Sequence, residues 1–203
     1  MTRKGIVVLA AVVLALTAIK ANPQSDSVPG KLTERGHVNV SGKPVPYVIR
    51  RLPVSSFPQL PQPISAHLEQ LGCMIPQTYE AHRPENVIHG SLERTGSKDW
   101  AVLCAADGTV KLMVFFAASP GSPTVLVSEP ETSRLETHDP SGVLGFGWGI
   151  DPASPRQVHE AQSGMEHRPA LLDHDALADI FVEKATVYRY FTKGNWTTVE
   201  TTD

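Results

Sequence analysis

Histidines and carboxylates crowd the chain beyond residue 158. His159-Glu160, Glu166-His167 and His174-Asp175 fall within seventeen residues, and imidazole with carboxylate is the ligand chemistry of zinc and related ions. The strong zinc signatures place two histidines at a fixed helical spacing, and no such pair is present here. The competing reading is a polar loop that keeps its histidines in water. Glu80 with His82, and Asp99 with Glu183, offer acid and base pairs for proton transfer. A chain with 21 acidic residues supplies such pairs without design, so only their separation and burial can give them meaning. The sequence contains no G-x-S-x-G elbow, phosphate-cradling glycine loop, dinucleotide fingerprint or zinc-protease helix. The expectation is a protein that binds rather than one that catalyses, with a hydrolase on an unrecognised site as the alternative.

The binding candidate is Gly142-Val143-Leu144-Gly145-Phe146-Gly147-Trp148-Gly149. In extended backbone Gly145, Gly147 and Gly149 share one face, and Phe146 and Trp148 share the other. An aromatic face can stack on a carbohydrate or a peptide, while a glycine face lets a second backbone or a ligand come close. Against this stands a core reading, in which the rings are buried and the glycines make bends.

Export is written at the other end. Arg3 and Lys4 precede a 14-residue apolar run, Ile6 to Ile19, and polarity returns at Lys20-Ala21-Asn22-Pro23. This is the pattern of a secretory signal peptide over residues 1–21, cleaved after Ala18 or Ala21. A membrane-spanning helix needs about 20 apolar residues, so no stable span is expected once the signal is cut. The mature chain is placed in the periplasm or outside the cell. There Cys73 and Cys104 read as a disulfide, which would stabilise the fold by ~3 to 4 kcal/mol. A reactive thiol at Cys104 is the alternative. Removing the signal takes three of 18 basic residues and no acid, leaving 15 against 21, a balance of −6. That argues against nucleic acid or anionic membrane as a main partner, because neutralising phosphates takes clustered Lys and Arg.

Residues 22–35 read as a flexible polar leader, with one domain over 36–203. His37–Val40 and Pro44–Arg50 read as a strand pair, the second demoted to an edge by Pro44 and Pro46. Ile64, His67, Leu68 and Leu71 fall on one helical face ahead of Gly72, which predicts a helix over 61–71. Strands are predicted at 86–92, 100–104 and 110–117, with Asp107-Gly108 as a tight turn, and at 125–127. Residues 129–140 read as a charged loop, and 152–170 as a long surface loop with one short helix around 156–162. An antiparallel meander over 180–200 closes the chain.

Thr95 to Val102 aligns with Asp175 to Val182, each a turn and an aspartate followed by apolar residues. The shape resembles the repeated hairpin of FG-GAP and integrin-propeller-like proteins. That resemblance implies a weak calcium site at Asp173, Asp175 and Asp179, although Leu171 and Ala176 stand where a ligand and a glycine belong. The alternative is that Asp99 and Asp179 only cap turns through nearby amides. The chain as a whole is similar to small exported bacterial proteins, a likeness that assigns no function.

The resulting expectation is an α+β fold, predominantly antiparallel β, with one short helix, long surface loops and the Cys73–Cys104 disulfide. The expected role is an exported, non-enzymatic binding protein for a protein or carbohydrate ligand, with no cofactor beyond weak calcium. A secreted hydrolase and a calcium-stabilised envelope or adhesion module are the alternatives.

Overall fold

The computed structural model describes residues 32–117, 119, 121–138 and 140–202. The signal segment and most of the leader lie outside the described residues.

The chain runs β1 (Thr33–Val40), β2 (Lys43–Pro53), α1 (Gln62–Gln70), β3 (Met74–Gln77), β4 (Val87–Gly90), β5 (Asp99–Ala106), β6 (Thr109–Phe115) and β7 (Thr124–Pro130). It continues through β8 (Leu135–Thr137), β9 (Leu144–Phe146), β10 (Trp148–Ala153), α2 (Pro155–Ala161), β11 (Ala176–Phe181), β12 (Ala185–Thr192) and β13 (Asn195–Thr202). Nine strands form one sheet in the order β7-β6-β5-β3-β2-β9-β8, with β1 added to β2 and β4 to β5; the second sheet is the meander β10-β11-β12-β13. Every pairing is antiparallel except β2 with β9.

The apolar pattern explains the layering. Val102 and Cys104 of β5, with Met113 and Phe115 of β6, meet Val54, Phe57, Leu60 and the Ile64 and Leu68 side chains of α1. The intervening residues Ala101, Leu103, Ala105, Leu112 and Val114 point to the other face, against Phe146, Trp148, Ile150 and Leu177. Because side chains alternate along a strand, β5 and β6 are buried on both faces and read as near-continuous apolar runs. The far side of the second sheet is covered by Val158 of α2, packed on Ala176, Ala178 and Tyr190.

Local chemistry sets the element ends. The α1 helix closes with Cys73 N–H donating to Leu68 O and Gly72 N–H to Glu69 O. This is the paired C-terminal motif that needs a left-handed residue, and Gly72 has φ +66°. Asp107-Gly108 joins β5 to β6 with φ 49° and 74°, the two-residue turn whose twist suits a hairpin. Ser154 caps α2 reciprocally with Gln157. Cys73, delivered by the end of α1, is bonded to Cys104 in β5 with the α-carbons 5.3 Å apart. The reactive-thiol alternative is thereby closed.

Four expectations are corrected. The first strand starts at Thr33, so the last residues of the expected leader are already paired, Thr33 with Arg50 and Arg35 with Val48. Strand β2 is not an edge: residues 43–50 pair with β1, residues 50–53 with β3, and Tyr47 and Val48 with β9. Pro44 and Pro46 fall in the stretch that only β1 pairs, and the ladder continues through both, so their missing donors face away from β1. The charged segment 129–140 is not a free loop, since it finishes β7 and forms β8. Its charges have distant partners: Glu131 pairs with Arg51, and Glu136 with Lys184. Finally, the two aligned segments are not equivalent. Asp99 opens β5, whereas Asp179 is the fourth residue of β11 and Val182 lies beyond its end.

Candidate functional site: the cleft between the sheets

Strand β3 ends at the buried residue Gln77, and residues 78–85, starting with the buried Thr78, then loop across the seam between the two sheets. The loop is tied down at both ends. Gln77 donates to Glu85 O and accepts from Glu85 N–H at 3.0 Å, and Glu85 Oε1 accepts from Thr78 N–H at 2.7 Å. Arg50 donates to Thr78 O and Ala81 O at 2.9 and 3.1 Å, filling the inside of the turn. Asn86, 1% exposed and at φ 68°, donates to Pro76 O and Trp148 O and accepts from Ile150 N–H, so one amide side chain joins the two sheets. Satisfying every polar atom of a buried amide in this way fixes the loop rigidly.

A cleft of about 640 Å³ opens between this loop and the second sheet. Glu80, Arg83, Glu85, Asp151 and Glu183 supply its charged groups and His82 an imidazole; Ile150, Ile180 and Val182 supply its apolar wall. Burial against that wall pushes the Asp151 carboxyl above the ordinary carboxylate range; the neighbouring Glu85 charge adds to the shift and Arg83 opposes it. Asp151 still reaches water at the mouth, so the shift is moderated by solvent. Glu183 holds a left-handed φ of 58° at the turn between β11 and β12. That conformation is uncommon for a residue with a side chain. Tyr79 forms the back of the loop. Desolvation, followed by the charges of Glu183, Glu80 and Glu136, pushes its hydroxyl up to about 12, so it stays a proton donor across the physiological range.

Each sequence-derived candidate has a definite place. Phe146 and Trp148 are 1% and 0% exposed, within the core between the sheets, and present no face to a ligand. The glycines beside them serve close packing within the fold: a Cβ at Gly145 would meet Tyr79 Cβ at 2.6 Å, and one at Gly147 would meet Glu136 Cγ at 2.7 Å. Trp148 donates its indole N–H to Asp179 Oδ1 at 2.6 Å, and Arg189 binds the other oxygen of Asp179 at 2.6 and 2.8 Å. Asp175 accepts from Ser91 N–H at 2.9 Å. Asp173 lies on the surface beside His174, whose hydrogen bond draws its carboxyl below the ordinary range. Asp173, Asp175 and Asp179 are thus each engaged by different groups rather than gathered round one point. Among the described residues no set of three or more His, Cys, Asp or Glu is arranged to hold a metal ion. Asp99 does hold backbone amides, those of Glu93 and Ala117; Asp179 holds side chains instead. His67 packs edge-on against Phe115.

Of the acid and base pairs in the sequence, Asp99 is separated from Glu183 by full burial elsewhere, while Glu80 and His82 do share the cleft, with Glu183 opposite. Sequence reasoning missed Tyr79, Glu85 and Asp151. For Tyr79 and Glu85 the available signal was the largely polar octet Thr78 to Glu85 directly after the short run Met74 to Gln77; Asp151 had none.

Comparison of the chain with protein-family models, with curated proteins and with solved structures finds no match.

Proposed function

We propose that this is an exported binding protein whose ligand seats in the cleft between the sheets. The observation that carries the reading is the cleft itself: its volume lies within the range of small-ligand sites, and it combines one apolar wall with a few convergent polar groups. With Phe146 and Trp148 committed to the core, recognition rests on hydrogen bonding and charge rather than on aromatic stacking. The carboxylates favour a ligand rich in hydroxyl or amino groups, such as an amino sugar or a basic peptide segment. Export accords with the disulfide and with the lack, among the described residues, of a helix long and apolar enough to cross a membrane. Residues 1–21 would be the signal, and the folded unit would start near Thr33. The test is a thermal-shift screen of oligosaccharides, amino sugars and peptides against the protein and its Asp151→Asn/Glu183→Gln variant. Ligands that raise the melting temperature only of the unaltered protein support the reading. Stabilisation that persists in the variant places the ligand elsewhere.

A second reading is a secreted hydrolase acting in the same cleft. It is favoured by His82 lining the cleft with four carboxylates, one of which, Asp151, is biased toward its protonated form beside Glu85. Product analysis by mass spectrometry on the same library separates the two. Turnover that disappears in Asp151→Asn would favour the hydrolase.

A further inference from the structure

Strands β1 and β2 carry arginines on both faces, and the two faces are treated differently. On one face Arg51 has Glu131 and Glu34 as partners. Burial is the largest single effect and works against its charge, but the Glu131 hydrogen bond, the Glu131 and Glu34 charges and Tyr47 together outweigh it and hold the guanidinium above its ordinary pKa. The register Thr33↔Arg50 and Arg35↔Val48 puts Arg35 and Arg50 together on the opposite face, one step apart on neighbouring strands. Strand alternation keeps Glu34 away from them. Arg50 donates only to the carbonyls of the 78–85 loop, and Arg35 has no hydrogen-bond or ion-pair partner among the described residues. Two like charges are held side by side with no carboxylate between them.

Both arginines line a cavity of about 320 Å³ on the far side of Tyr79 from the cleft. Apart from Gln77 and Ser141, its remaining walls are apolar or aromatic. Val48 and Val143 form the floor, and the Tyr79 and His138 rings stack at 4.8 Å and 13° along one side. No Asp or Glu lines it among the described residues. The stack exists because residue 145 is glycine: a Cβ there would meet Tyr79 Cβ at 2.6 Å and His138 Cδ2 at 2.7 Å.

We propose that this cavity is a binding site for a small organic carboxylate with a flat apolar body. The paired guanidiniums take the carboxylate, for which their planar donor forks are shaped, and the valine floor and ring stack take the body. The site is separate from the inter-sheet cleft and does not depend on the reading given to that cleft. Neither a bare oxyanion nor a neutral ring supplies both halves of the match.

The test is NMR titration of the labelled protein with benzoate, using benzamide and inorganic phosphate as comparators. Benzoate is expected to give saturable shifts at the Arg35 and Val48 amides and at the Tyr79 and His138 ring signals. Benzamide lacks the charge and phosphate lacks the body, so each should bind at least about tenfold more weakly. Arg35→Met should weaken benzoate by about tenfold to a hundredfold, the fold-change for losing a charged hydrogen-bonded contact, without lowering the melting temperature. Arg35→Lys should recover part of the loss. The proposal is overturned if millimolar benzoate produces no saturable shift, if benzamide or phosphate matches it, or if Arg35→Met binds it unchanged.

Discussion

Asp179 is the residue whose replacement most directly tests the account of the core. Its side chain is 1% exposed and holds two donors at once, the Trp148 indole N–H and the Arg189 guanidinium, itself 18% exposed. In Asp179→Ala the indole loses its acceptor in a fully buried position, and the guanidinium loses its counter-ion at a partly buried one. Breaking a buried charged pair from one side costs about 3 to 5 kcal/mol. For a domain of this size each kcal/mol corresponds to about 2 to 4 °C, so the melting temperature should fall by about 6 to 20 °C. Asp179→Asn keeps an acceptor for the indole and should lose about half as much. Adding Arg189→Met to Asp179→Ala should recover part of the loss, because the stranded charge goes with it. Urea unfolding of the four proteins with a common m-value measures these differences. A loss below about 1 kcal/mol in Asp179→Ala would refute the clamp. A loss in Asp179→Asn equal to that in Asp179→Ala would show that the ion pair alone carries it.

Three further outcomes are expected. Spectrophotometric titration should show one of the four tyrosines ionising late, at about 12, and Tyr79→Phe should remove that late phase. Since the folded value is raised, the phenolate is disfavoured by folding; Tyr79 therefore lowers stability progressively as pH rises from about 10 to about 12, a fall that Tyr79→Phe should lessen. Asp175→Ala should cost about 1 to 2 kcal/mol in urea unfolding through the lost hydrogen bond to Ser91, and millimolar calcium should not shift the melting temperature of either protein. A calcium-dependent rise in the unaltered protein alone would revive the metal reading. Gly145→Ala should destabilise by about 1 to 3 kcal/mol, because its Cβ would run into Tyr79, and should displace the ring signals of Tyr79 and His138.

The elements that carry their own periodicity were legible. The α1 stripe, the Asp107-Gly108 hairpin and the closing meander announce themselves within short windows of sequence, and the two cysteines allow a single pairing. What escaped depends on partners distant in the chain. Glu131 and Glu136 look like solvated charges until Arg51 and Lys184, 80 and 48 positions away, are seen beside them. Phe146 and Trp148 suggested a stacking surface because the sequence cannot say which side of an aromatic strand a second sheet will cover. Asp99 and Asp179 looked like copies of one turn because both precede apolar residues, yet one holds backbone amides and the other holds an indole and a guanidinium. Asp151 had no local signal at all, since its environment is assembled by the 78–85 loop and the β11–β12 turn.

The bond between Cys73 and Cys104 has a consequence for how this molecule meets proteases. Strand β3, strand β4 and the whole 78–85 loop lie within the covalent ring that the bond closes. A single cut at the exposed residues His82, Arg83 or Pro84 would open the backbone at the cleft's rim, but the two pieces would remain one molecule, held by the bridge and by a sheet on either side of the break. Such a nick would pass unseen on a gel run without reductant and appear as two bands once the bridge is reduced. The clipped protein would keep its core, with each half of the loop at its cleft still tied at one end only.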